Sequence, residues 1–241
     1  MPIYDILNIF IFILILASAL TFTIHFSKKN NLNLHLLIII FFWHLLFSLL
    51  YYVYSLIDEA DAYSYYFLAK YKSEIYVNFY NLEPGANFIF NLCYFLGKIL
   101  NLSYLNVFII FNYIGFLGIL FFILSITAIK NFKNDKSLLY IIILFIPSFS
   151  FWSAAIGKDV FSFLAINIFI WSSINLHKKI TISFLSILLM FMVRPHVAII
   201  MFFSALVAIF LNKKIKNKPK FFLLVLTSIL FIASLKAVIN Y

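Results

Sequence analysis

Apolar runs of about twenty residues recur from one end of this chain to the other, and no other feature restricts its fold as much. They lie at residues 3–26, 34–57, 105–129, 138–156, 160–176 and 221–239, with a shorter pair over 180–211. A helix rises about 1.5 Å per residue, so about twenty residues match a hydrocarbon layer of roughly 30 Å. Lipid offers no partner to backbone amides, which leaves helices and closed barrels as the only spanning structures. A barrel needs alternating apolar and polar residues, and that alternation is missing. Charged residues make up 11% of the chain, against about 25% in a soluble domain. The expected fold is therefore all-α: one polytopic helical membrane domain over 1–241, with about seven spans plus one short re-entrant or interfacial helix at 87–100.

The lysines set the expected orientation. Lys28-Lys29, Lys130/Lys133/Lys136, Lys178-Lys179 and the five lysines over 213–220 hold twelve of the eighteen basic residues. Lysine-rich short loops face the cytoplasm. These four loops alternate without conflict if 87–100 does not cross. Seven of the eight acids then fall on the outer side, and only Asp135 falls inside. The formal charge of +10 thus reads as a topology signal, with no nucleic-acid partner. Residues 1–26 carry Asp5 and no basic residue before the apolar run, which argues for a retained span over a cleaved signal. One cysteine, Cys93, leaves no internal disulfide and no zinc cluster.

Arg194 is the only arginine, beside seventeen lysines. It sits in Met192-Val193-Arg194-Pro195-His196, between runs too short to cross comfortably; 180–193 would reach only about 21 Å. A charge there is costly unless a partner or water receives it, so a functional role is the default. Guanidinium matches phosphate oxygens in a bidentate manner that lysine cannot reproduce. A structural ion pair with an outer-face acid is the competing explanation. His196 reads as an acid–base group or a polar interface residue.

Three further groups share the expected outer face. Asp58-Glu59-Ala60-Asp61-Ala62-Tyr63-Ser64-Tyr65-Tyr66 opens an outer loop at 58–86. If the helix continues, Asp58 and Asp61 share a face with Tyr65 one turn beyond. Such a pair can hold a divalent metal, or act as a general base; it can also be a solvated helix end. Glu83-Pro84-Gly85-Ala86-Asn87 predicts a type II turn with Asn87 as helix cap, and Glu83 facing a site. Pro147 predicts a kink in its span. Trp152 suits the interface, and Lys158-Asp159 offer a second cation beside an acid. His44 reads as a packing partner inside the second span. Gly115 and Gly118 read as allowing close helix packing.

Carboxylates with Arg, Lys and His at the outer mouth of a bundle suit a ligand with an anionic head and a lipid tail. Cations would hold a diphosphate leaving group, and a carboxylate would take a proton from the acceptor hydroxyl.

The stretch from Asp61-Ala62-Tyr63-Ser64-Tyr65-Tyr66 through Glu83-Pro84-Gly85 to Tyr113-Ile114-Gly115-Phe116 resembles EpsG-like and O-antigen (Wzy-type) polymerases. These carry an acidic, tyrosine-rich loop and an E-P or E-x-G turn before an apolar helix. Arg194 is the match for the family's arginine, whereas Phe151-Trp152 to Lys158-Asp159 has no counterpart. Asp58-Glu59-Ala60 with its tyrosines also resembles the acidic outer-loop motif of the glycosyltransferase C superfamily, although that motif usually follows the first span. The resemblance covers roughly residues 55–200. It implies a multi-pass protein of the bacterial cytoplasmic (inner) membrane. The implied activity is transfer of sugars from polyprenyl pyrophosphate carriers at the outer face, in company with other polysaccharide-assembly membrane proteins. Asp58, Asp61, Arg194 and His196 would be catalytic. Lys158, Asp159, Glu83, Tyr65 and Trp152 would bind substrate, with a divalent metal at Asp58/Asp61. Members of both families are usually longer, so the chain reads as missing a terminal portion. A lipid-linked oligosaccharide transporter, or a non-catalytic membrane subunit, is the alternative class. A transporter needs charges spaced through the membrane depth, for which only His44 and Lys98 offer themselves.

Overall fold

The computed structural model describes residues 3–58, 60–77, 83–128 and 142–211; these are 88% helical, with no strand. The elements are α1 (Ile3–Asn30), α2 (Leu34–Ile57), α3 (Asp61–Tyr71), α4 (Ser73–Tyr76) and α5 (Ala86–Tyr94), which runs on into a π-helical turn, Phe95–Ile99. Then come α6 (Tyr104–Ala128), α7 (Pro147–Ser153), α8 (Lys158–Ile174), α9 (Leu176–Val193) and α10 (Pro195–Leu211). Three helices, α1, α2 and α6, are long and apolar enough to cross a bilayer. A fourth crossing is formed if α7 and α8, bent by 106°, count as one. The seven expected spans are not reached among the described residues, and the run at 221–239 lies outside them.

Helix ends follow local chemistry. Asn33 caps α2 by accepting from the Leu36 amide at 3.2 Å, and Asn31 takes the left-handed turn before it (φ 52°); asparagine tolerates that conformation better than most residues. Pro147 does not kink a helix as expected. It opens α7, with Ile146 extended before it, a position where a missing N–H costs nothing. The described part of the run at 138–156, residues 142–156, is consequently not one helix.

The bundle has a consistent polarity. α2 runs antiparallel to α6, with Tyr52 against Tyr104 and Phe41 against Phe116. α8 runs alongside α6 in the same direction, through Phe111–Phe161 and Phe121–Trp171. α9 and α10 form a hairpin that turns at Arg194 and closes at its far end on Leu176 and Ile209. One end of the bundle therefore carries Lys28, Lys29, Lys178 and Lys179. The described acids Asp58, Asp61, Glu74, Glu83 and Asp159 belong to the other.

The segment from Asp58 to Ser103 leaves and returns at that acidic end. Ser55 and Tyr104 share a hydrogen bond at 2.8 Å. Asn8 of α1 accepts from the Ser103 amide at 3.0 Å and from Asn106 at 2.9 Å. The short helix expected near 87–100 is α5 with its π-helical turn, packed against α3 at this end. Lys98 is held there, donating to Ser73 at 2.6 Å. α3 and α5 pack on one another and on α6 through Tyr65, Tyr66, Ile89, Tyr104 and Phe108, which share one buried cluster with Val160 and Val193. Ring packing dominates this cluster; Tyr66 alone is edge-on to Phe67 and tilted on Tyr104.

Candidate functional site

At the acidic end, below the α3–α5 layer, lies a cavity of about 270 Å³. Four stretches far apart in sequence line it: Tyr51 of α2, Asp61 and Tyr65 of α3, Trp152 and Ala155 to Asp159 across the α7–α8 break, and Arg194 at the α9–α10 turn. Tyr51 precedes the end of α2 at Ile57 by six residues, so the cavity reaches about 9 Å into the bundle at 1.5 Å per residue.

Each polar group is brought by a distinct local device. Arg194 is the residue on which α9 stops. Its backbone is extended (φ −143°, ψ 84°) because Pro195 begins α10 and disfavours helical geometry in the residue before it. The turn is pinned from outside: the Gly85 amide donates to the Met192 carbonyl at 2.9 Å. Gly85 can do so at φ 100°, ψ −129°, a left-handed conformation that favours glycine; its ψ departs from the type II turn expected. Lys158 and Asp159 open α8 after Gly157, whose side of the helix start carries no capping side chain. The first amides of α8 thus lack helical acceptors.

Arg194 and Asp159 form an ion pair, the sole one among the described residues, with side chains 37% and 48% exposed. The pair suits its helices: the carboxylate sits at the positive end of α8 and the guanidinium at the negative end of α9. Lys158 has the opposite relation. It adds a cation to a helix N-terminus, in no ion pair among the described residues, and raises the positive potential along that wall. A guanidinium paired on one edge keeps other donors for a ligand. Trp152 stands half out of the protein (54%), edge-on to Tyr51 at 5.8 Å between ring centres. Tyr65 is buried with its ring edge-on to Phe90.

No family model, no curated protein and no solved structure matches this chain.

Of the nine residues expected to form a site, six meet in the cavity: Asp61, Tyr65, Trp152, Lys158, Asp159 and Arg194. Asp58 does not. α2 ends at Ile57 and α3 starts at Asp61, so the continuous helix that would put both carboxylates on one face is absent. Asp58 instead accepts from the Tyr54 hydroxyl at 3.0 Å, on the exterior. Glu83 accepts from Asn87 at 2.7 Å. Asn87 is inside α5 and caps nothing; Gly85 holds the cap position. His196 is exposed in the first turn of α10 and does not line the cavity. Among the described residues no three His, Cys, Asp or Glu side chains come together as metal ligands.

Four lining residues were not expected: Tyr51, Ala155, Ile156 and Gly157. A methyl group placed on Gly157 would meet no atom within 4 Å. Tyr51 had a readable signal: it begins Tyr51-Tyr52-Val53-Tyr54, which puts all three tyrosines of the span in its last two turns.

Proposed function

We propose that this protein transfers sugars from polyprenyl pyrophosphate carriers at the outer face of a bacterial cytoplasmic membrane, extending a surface polysaccharide. The observation that carries the reading is the convergence in one recess of Asp61, Lys158 and Arg194, which lie up to 133 residues apart in a chain with few charges. The volume, about 270 Å³, corresponds to about nine waters at roughly 30 Å³ each. It suits a phosphate-bearing head with its first sugar and leaves the prenyl chain to the lipid.

In this reading an acceptor hydroxyl attacks the anomeric carbon. Asp61 takes the hydroxyl proton, and the bond to the diphosphate oxygen breaks with its electron pair going to the leaving group. Lys158 and Arg194 stabilise the charge that grows on that oxygen, where preorganised cations in a water-poor site act most strongly. Asp159 holds the guanidinium in place. Trp152 and Tyr65 offer ring faces to the sugar. The outer-face reading is supported by the lysine-rich short loops, with Lys28-Lys29 and Lys178-Lys179 lying at the end opposite the cavity.

The test is substitution with a cellular readout. Arg194→Lys and Asp61→Asn, each at normal protein abundance, are expected to shorten surface polysaccharide chains to one or a few repeats. Long chains of normal distribution from both variants would remove the proposal.

A further inference from the structure

The cavity floor is made by a break in a helix at membrane depth, and α2 carries a polar stripe that matches it. Non-helical backbone at that depth persists only where protein or enclosed water satisfies its polar groups. On α2, His44, Ser48, Tyr51 and Ser55 follow one another at intervals of four, three and four residues, which places them on one face. All four are buried, the reverse of what an apolar span needs for packing alone.

Three contacts fix the start of the break. The Ser153 hydroxyl donates to the Phe149 carbonyl at 2.7 Å. A hydroxyl has one proton, so at 3.0 Å its oxygen accepts from His44 Nε2–H. Ser48 donates to the Ala154 carbonyl at 3.2 Å. Gly115 of α6 lets the Ser153 carbonyl come close; any Cβ there would collide with it. The five residues that follow, Ala155 to Asp159, all line the cavity.

We infer that His44, Ser48 and Gly115 are positioning residues: they fix the broken turn that delivers Gly157 and Lys158 to the ligand and Asp159 to Arg194. The inference rests on the cavity being the diphosphate site proposed above. None of the three touches the cavity, and their effect passes through residues 153–154.

The experiment uses the full chain in lipid nanodiscs. One readout is calorimetric affinity for inorganic pyrophosphate. The other is the rate at which a water-soluble maleimide modifies Gly157→Cys, placed in a Cys93→Ser background. His44→Leu is expected to weaken pyrophosphate binding about tenfold and Ser48→Ala about threefold, the scale of one buried hydrogen bond. His44→Gln, which keeps an N–H donor, should stay within about twofold of the unsubstituted protein. That rescue separates positioning from general destabilisation, which glutamine would not repair. Maleimide modification should speed up about fivefold or more in His44→Leu as the turn loosens. Affinity within twofold for both His44→Leu and Ser48→Ala, with unchanged modification rates, overturns the inference. If the unsubstituted protein binds no pyrophosphate, the proposed function falls, and the modification rates alone decide the positioning role. If His44→Leu does not fold, Ser48→Ala decides it.

Discussion

Gly157 is the position at which the cavity can be filled with little cost to the fold. Its φ of 169° and ψ of −179° are extended backbone open to any residue, and a Cβ would meet nothing within 4 Å. Leucine adds four carbons, each taking roughly the room of a water, about 30 Å³. Gly157→Leu would therefore take up about 120 Å³ of a cavity of about 270 Å³. Gly157 makes no side-chain cap bond that could be lost. The cost at a helix cap is then about 1 kcal/mol, or about 2–4 °C in the unfolding midpoint for a chain of this length. Pyrophosphate affinity, measured calorimetrically on protein in nanodiscs, should fall more than about tenfold, the equivalent of about 1.4 kcal/mol. Gly157→Ala, which adds a single carbon, should bind within about threefold of the parent. Two results would refute the reasoning. Unaltered affinity in Gly157→Leu would mean that the anion binds elsewhere. A collapse of folding would mean that the space beside Gly157 is not open.

The ion pair gives a prediction with a defined sign. Asp159→Asn should strengthen pyrophosphate binding about threefold or more at low salt, an effect that shrinks as the ionic strength rises. Its stability should change by about 1 kcal/mol or less, because both side chains are more than a third exposed; calorimetry and thermal unfolding check the two halves. Arg194→Lys should weaken the same binding about tenfold, since lysine cannot donate to Asp159 and a phosphate in one plane. Gly115→Ala should destabilise by about 1–3 kcal/mol or more, because its methyl group strikes the Ser153 backbone and no flexible side-chain end can yield; thermal unfolding measures it. Cysteine labelling at Lys29→Cys and Asp61→Cys in a Cys93→Ser background should report opposite sides of the membrane, and labelling from one side would overturn the orientation.

The parts of the fold visible in the sequence are those dictated by bilayer thickness. The helix expected at 105–129 is Tyr104–Ala128, and that expected at 34–57 is Leu34–Ile57. The short runs flanking Arg194 do become a helical hairpin. What failed depended on local turn chemistry. Between Ile57 and Asp61 no Gly or Pro marks the end of α2, so continued helix periodicity wrongly paired Asp58 with Asp61. The apolar residues before Pro147 suggest an unbroken helix with a kink, although proline serves equally as a first helical residue. The site was partly legible for a different reason. In so apolar a chain each charge is costly, and sorting the charges by side already gathered Asp61, Lys158 and Arg194 on one face. Sidedness has no depth or azimuth, so it does not separate Glu83 and His196 from the residues that line the cavity. The signal at Tyr51 is ambiguous, because a tyrosine near the end of a span is ordinarily an interface anchor.

The hydrogen bonds from α2 to the α7–α8 break span 109 residues for His44 and 106 for Ser48. Those from α1 to the start of α6 span 95 and 98. At about 5–20 residues per second of synthesis, the first helical hairpin spends about 5–20 s in the membrane before its partners leave the ribosome. Over that time a histidine and a serine at mid-depth have lipid or the insertion machinery as their only company. The polar stripe that shapes the finished cavity is thus an assembly liability during birth. Substituting His44 with an apolar residue should let the hairpin insert more readily while spoiling the site it later builds.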